Sequence, residues 1–164
     1  MPGIWEEYCR HDLKGEAMSD TIMIACPSCR AKNRVPVTRI KEKPNCGRCG
    51  AYLPMEDLGK VKVVTDATFE QEVMRSALPV LVDCWAPWCG PCKSVAPVLE
   101  ALAKKYQTRI KIVKVNMDEN TKVGSRFSIA SVPTMLFVKS GRVTETLVGA
   151  LPKEQIEAAI DRII

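Results

Sequence analysis

Two hydrophobic periods alternate along the chain from Lys60 to Ile164. Val61, Val63 and Val64 mark a short strand, and Phe69, Val73 and Ala77 then recur at helical spacing. Pro79 to Trp85 is an apolar run bounded by turn signals, the pattern of a strand buried on both faces. Val95, Val98, Leu99 and Leu102 follow at i, i+3, i+4, i+7, which predicts an amphipathic helix with Pro97 inside it and a kink there. Arg109 to Asn116 reads as a strand, residues 119–127 as a helix and Thr134 to Lys139 as another strand. Ser140 and Gly141 form a two-residue hairpin turn into Arg142 to Val148. A last helix carries Ile156, Ala159, Ile160 and Ile163. The order βαβαβαββα predicts an α/β domain over 60–164, a central mixed sheet covered by helices on both faces.

The first third lacks such periods. Residues 1–20 are polar and unpatterned, and a disordered lead is expected there. Residues 21–58 hold four cysteines, several turn formers and few large apolar side chains. A segment so poor in apolar surface does not fold unaided, so a small second domain held by something else is predicted.

Composition is that of an ordinary globular protein, 46% hydrophobic and 26% charged. No window approaches the roughly 18 consecutive apolar residues of a membrane span, and residues 1–20 do not read as a secretory leader. A cytoplasmic, monomeric protein with no membrane partner is expected. The net charge of +5 is uneven: Thr21 to Met55 holds seven Lys/Arg against Glu42 alone, and the rest is near neutral. Such a patch invites nucleic acid. Four metal-bound thiolates would also attract it, and Tyr52 stands without an aromatic run, so no nucleic-acid partner is expected.

Eight cysteines in a reducing compartment point to metal or redox chemistry rather than to structural disulfides. Six of them form three Cys-x-x-Cys pairs; Cys9 and Cys84 stand alone. Cys89-Gly90-Pro91-Cys92 falls where the strand 79–85 hands over to a helix. The first turn of a helix presents unpaired N–H groups and the positive end of its dipole, which stabilises a thiolate. Cys89 is expected exposed as the attacking thiolate. Cys92, three residues on and facing inward, resolves the mixed disulfide. Pro91 suits the first turn, where its missing N–H would be unbonded in any case. The pair could instead serve a metal.

The segment Trp85-Ala86-Pro87-Trp88-Cys89-Gly90-Pro91-Cys92-Lys93 closely resembles the active-site signature of the thioredoxin family, and the resemblance covers residues 60–164. It includes Val132-Pro133-Thr134, similar to the family's cis-proline loop, and Val148-Gly149-Ala150, similar to its substrate-facing glycine. The resemblance implies a thiol–disulfide oxidoreductase that reduces protein disulfides and is recharged by an NADPH-dependent flavoprotein thioredoxin reductase. It makes Gly90 and Pro91 part of the catalytic turn. It makes Asp83 the buried acid that takes the proton of Cys92, with Lys114 as its partner. It assigns Trp88, Val132, Pro133, Gly149 and Ala150 to substrate contact. Cys84 departs from the family's usual aromatic and is expected to be inert core.

Cys26-x-x-Cys29 and Cys46-x-x-Cys49, sixteen residues apart, have the spacing of two knuckles closing on one ion. Four thiolates leave no open position, so one structural Zn²⁺ is expected; thiolates also serve iron. Metal binding would supply the folding energy that 21–58 lacks and would make the segment able to tune or sense redox state. This front end is similar to that of the zinc-containing thioredoxins of bacteria.

Overall fold

The structure is a computed structural model that describes residues 21–55, 57–107 and 109–164. The expected disordered lead, with Cys9, lies outside them.

Two sheets form. The first is a hairpin of β1 (Thr21–Ala25) and β2 (Lys32–Pro36), antiparallel with Ile22 opposite Val35. A 3₁₀ turn, Val37–Glu42, follows. The second has five strands: β3 (Lys62–Val63), β4 (Val80–Trp85), β5 (Lys111–Asn116), β6 (Thr134–Lys139) and β7 (Arg142–Val148). Their spatial order is β3-β5-β4-β6-β7, parallel from β3 through β5 to β4 and antiparallel across β6 and β7. The helices are α1 (Gly90–Lys105), α2 (Thr121–Arg126) and α3 (Lys153–Ile163). The mixed α/β sheet predicted from the periods is the one observed.

Side chains alternate across a strand, so a central strand feeds two cores. Leu81, Ile112, Met135 and Phe137 pack against α1 and α3 through Val95, Leu99, Leu102, Ile156 and Ile160. Val80, Val82, Cys84, Val113, Val115 and Leu136 pack on the other face against Phe69, Val73 and Val123. That double burial is why β4 reads as an apolar run interrupted only by Asp83. Asp83 shares its face with Leu81 and Trp85, toward α1 and α3.

The predicted helix at Phe69–Ala77 is shorter than its period implies. It narrows to one π-helical turn, Glu70–Met74. Glu72 on that turn binds Lys62 at 3.0 Å and also pairs with Lys111, which pins the turn to β3 and β5. Ser140 and Gly141 both have positive φ, 52° and 73°, as a type I′ hairpin requires. A Cβ on Gly141 would stand 3.0 Å from the Met74 carbonyl oxygen. Gly141→Ala is therefore expected to cost about 1–2 kcal/mol through the left-handed backbone alone, read as a lowered urea midpoint at unchanged slope.

The hairpin domain has its own small core of Ile22, Cys26, Val35, Cys46, Leu53 and Met55, two of whose six members are cysteines.

Candidate active site and metal centre

β4 ends at Trp85 and α1 begins at Gly90, so Cys89 is the N-cap of α1, with extended backbone at φ −80°, ψ 104°. Its Sγ accepts the Cys92 N–H at 3.2 Å, as a capping side chain does. Pro91 sits in the first turn, which holds no acid. Cys89 and Cys92 form a disulfide with Cα atoms 5.4 Å apart. The expected exposure of Cys89 is not what the structure shows. In the disulfide state Cys89 and Cys92 are 3% and 4% exposed, packed with Ala86, Trp85 and Val132. In this state the Cys89 sulfur is bonded to Cys92 and also accepts the Cys92 N–H, which leaves little of it open to solvent.

The rim is built from three loops. Trp88 is 73% exposed, and its Nε1–H donates to Asp118 Oδ1 at 3.2 Å. Val132–Pro133 is a cis peptide bond. Gly149 N–H donates to the Pro133 carbonyl at 2.8 Å, and Thr134 Oγ1 donates to the Ser131 carbonyl at 2.7 Å. Gly149 has φ +96° and open space where a Cβ would stand, with Ala150 exposed beside it.

At the other end of the chain, Cys26, Cys29, Cys46 and Cys49 place their sulfurs within 4.8 Å of one another. Cys26–Cys49 and Cys29–Cys46 are each 3.6 Å apart. A disulfide needs about 2.05 Å. A tetrahedron with metal–sulfur bonds of about 2.3 Å has edges of roughly 3.8 Å, so the donor set fits a four-thiolate ion. The two knuckles are near copies. Cys26 N–H bonds to the Ala31 carbonyl and Arg30 N–H to that of Cys26; Cys46, Ala51 and Gly50 repeat the pattern. The residue after each second cysteine, Arg30 or Gly50, has positive φ. The Cys49 and Arg48 amides bring the Cys46 thiol down to about 6. The Cys29 amide lowers Cys26. Although the Ala51 amide pulls Cys49 down, the Cys29 sulfur and burial carry it up to about 11. A cation would supply the field to ionise that last thiol.

The comparisons agree with both halves. The family model described as Thioredoxin matches residues 60–162. The chain belongs to the thioredoxin family. A second family model, a zinc ribbon described as Thioredoxin 2, N-terminal, matches residues 25–51. Thioredoxin 1 of Synechococcus elongatus is 52% identical over 99 residues, 60% of this chain and 92% of that protein. Thioredoxin of Haemophilus influenzae is 47% identical over 107 residues, 65% of this chain and all of that protein. The M-type chloroplastic thioredoxin of Chlamydomonas reinhardtii is 38% identical over 130 residues, 79% of this chain and 93% of that protein. With a Cys89–Cys92 disulfide at the strand–helix junction, the chain is a thiol–disulfide oxidoreductase.

Asp83 is buried on β4, and its Oδ1 has no hydrogen-bond partner among the described residues. Burial pushes its pKa up to about 6, opposed by the Lys114 charge. Lys114 is its neighbour in register on β5. The expected Asp83–Lys114 ion pair is not formed among the described residues; the Lys114 Nζ lies 5.7 Å from the Trp85 ring centroid instead. Cys84 points into the opposite core, and burial raises its thiol to about 12. A carboxyl group whose folded pKa exceeds its unfolded value destabilises the fold when ionised. The cost is absent below pH 4, grows up to about pH 6 and is constant above. Asp83→Asn is therefore expected to raise stability above pH 6 by up to about 3 kcal/mol, a gain that vanishes near pH 4 in denaturant titrations.

Two residues escaped the sequence reading. Asn33 Oδ1 accepts the Gly47 N–H at 3.0 Å while its Nδ2 donates to the Ala31 carbonyl at 2.8 Å, tying one knuckle to the other. Asp118 holds Trp88. Each acts through a contact distant in sequence, for which no local signal exists.

Proposed function

We propose that the chain is a cytoplasmic protein-disulfide reductase, acting as a monomer, with a front domain held by one structural Zn²⁺. The disulfide capped by the first turn of α1 carries this reading. In the reduced chain the Cys89 thiolate attacks a substrate disulfide. One substrate sulfur leaves as a thiolate, and the other forms a mixed disulfide with Cys89. Cys92 then attacks the Cys89 sulfur, the second substrate thiolate leaves, and two electrons have passed to the substrate. Asp83 accepts the Cys92 proton. Its pKa of about 6 leaves it largely a carboxylate at neutral pH, as a base must be. Lys114 holds positive charge near that carboxylate. Gly90 and Pro91 keep the turn tight, while Trp88, Val132, Pro133, Gly149 and Ala150 frame an extended substrate.

An NADPH-dependent flavoprotein thioredoxin reductase returns the two electrons. Coupled NADPH oxidation with insulin as disulfide substrate tests this: turnover is expected with wild type, and its absence with a competent reductase defeats the reading. Cys26, Cys29, Cys46 and Cys49 hold the zinc. Cys49 is the exposed member and the entry point for oxidants, which supports a second role in sensing redox state. Zinc release that tracks peroxide dose is the expected result.

A further inference from the structure

The zinc-ribbon domain carries more positive charge than its metal chemistry uses. Thr21–Met55 holds seven Lys/Arg and one acid, Glu42, and Glu42 is already engaged by Arg39 at 2.7 Å. Four thiolates with a divalent zinc ion sum to −2, so the segment keeps a charge of about +4. Arg30, Lys32, Arg34, Lys43 and Arg48 are exposed, and no ion pair reaches them among the described residues.

The fold aims this charge outward. β1 lines a gap of about 210 Å³ shared with Leu58, Leu78 and Ile110, and no residue of β2 lines it. Lys32 and Arg34 therefore stand on the outer strand, on one face and roughly 7 Å apart. The gap reaches the residues just before β4 and β5, whereas Cys89 follows the end of β4. β4 is roughly 17 Å long, so ribbon and disulfide stand at opposite ends of the sheet. A peptide or a small disulfide at Cys89 does not meet the ribbon. A folded domain about 30 Å across reaches both.

Resting on the reductase reading above, we propose that the exposed basic face of the ribbon docks acidic folded proteins and so selects them as substrates for the distant disulfide. The reaction partners of such an enzyme are themselves proteins, which makes a protein the occupant the chemistry favours. Nucleic acid is the poorer fit. Tyr52 is the one aromatic residue of Thr21–Met55, and single strands need successive stacking platforms.

The test reverses the charge in the full chain with Lys32→Glu and Arg34→Glu together. The substrates are α-lactalbumin, which is acidic; lysozyme, its basic counterpart of the same fold; and hydroxyethyl disulfide, which is small and neutral. The expected result is a fall of about tenfold in kcat/KM on α-lactalbumin at low ionic strength, carried by KM. The difference should fade toward about 1 M NaCl, where the screening length is near 3 Å. Rates on hydroxyethyl disulfide and lysozyme should not fall. No change on α-lactalbumin, or an equal loss on all three, overturns the proposal. Should the reversed chain misfold, Lys32→Gln with Arg34→Gln carries the test, with a smaller loss confined to α-lactalbumin expected.

If wild type reduces none of the three, the reductase reading is what fails. Docking is then read by the fluorescence anisotropy of labelled α-lactalbumin: binding abolished by charge reversal upholds the surface, and no binding sinks it. A labelled duplex oligonucleotide held at about 0.15 M salt in preference to α-lactalbumin also overturns the proposal, assigning the face to nucleic acid.

Discussion

Cys89→Ser is expected to abolish insulin reduction, a loss on the order of 10³-fold or more, because no other described residue of the rim carries a thiol. Cys92→Ser should fail differently. The attacking thiolate remains capped by the first turn of α1, so substrate is captured, but nothing resolves the mixed disulfide. The variant should accumulate a covalent adduct of chain plus substrate, released by dithiothreitol and seen by mass spectrometry without reductant. The two positions are distinguished by geometry. Cys89 is the extended N-cap at the end of the β4 loop, whereas Cys92 sits one turn inside the helix, where its N–H reaches back to the Cys89 sulfur at 3.2 Å. Capture by Cys89→Ser in place of Cys92→Ser would reverse the assigned roles. Equal capture by both would show that the helix start does not discriminate between the sulfurs.

Much of this site was legible in the sequence because its parts are local. The apolar run before Cys89, the Gly-Pro between the cysteines and the periodic helix after them place a thiolate at a helix N-terminus by short-range rules alone. The two Cys-x-x-Cys knuckles are local too, and each is closed by hydrogen bonds within six residues. The hairpin turn at Ser140-Gly141 was readable for the same reason. What was not legible depends on packing between distant segments. The Phe69–Ala77 helix narrows to one π-helical turn whose Glu72 pairs with Lys62 and Lys111, contacts between segments that the period does not reveal. Lys114 turns toward the Trp85 ring rather than closing on Asp83, a choice that the strand register permits but does not dictate. Cys89 is buried where Trp85, Ala86 and Val132 pack against the disulfide, a packing between segments that the local motif does not encode.

Stripping the proposed zinc should separate the two domains in stability. The ribbon core has six buried residues, and Cys26 and Cys46 among them become ligands that a chelator leaves unpaired. Structural zinc in small domains supplies about 10–16 kcal/mol of apparent binding energy, more than such a core can replace. None of those sulfurs belongs to the cores of the thioredoxin domain, which lie on the faces of the five-stranded sheet with their own helices. Hydrogen exchange on the full chain after chelation is therefore expected to show amide protection lost across β1 and β2 and kept in β4, β5 and β6. Insulin reduction should stay within about twofold, since the nucleophile, its cap and the cis-proline loop all lie in the second domain. Replacing Cys46 with serine should reproduce the loss without a chelator, and Asn33→Ala, which cuts the tie between the knuckles, should weaken metal retention without abolishing it. Protection of β1 and β2 that survives metal removal would mean that hydrophobic contacts across Leu53, Met55 and Leu58 suffice to fold the ribbon, and the ion would then lose its structural role.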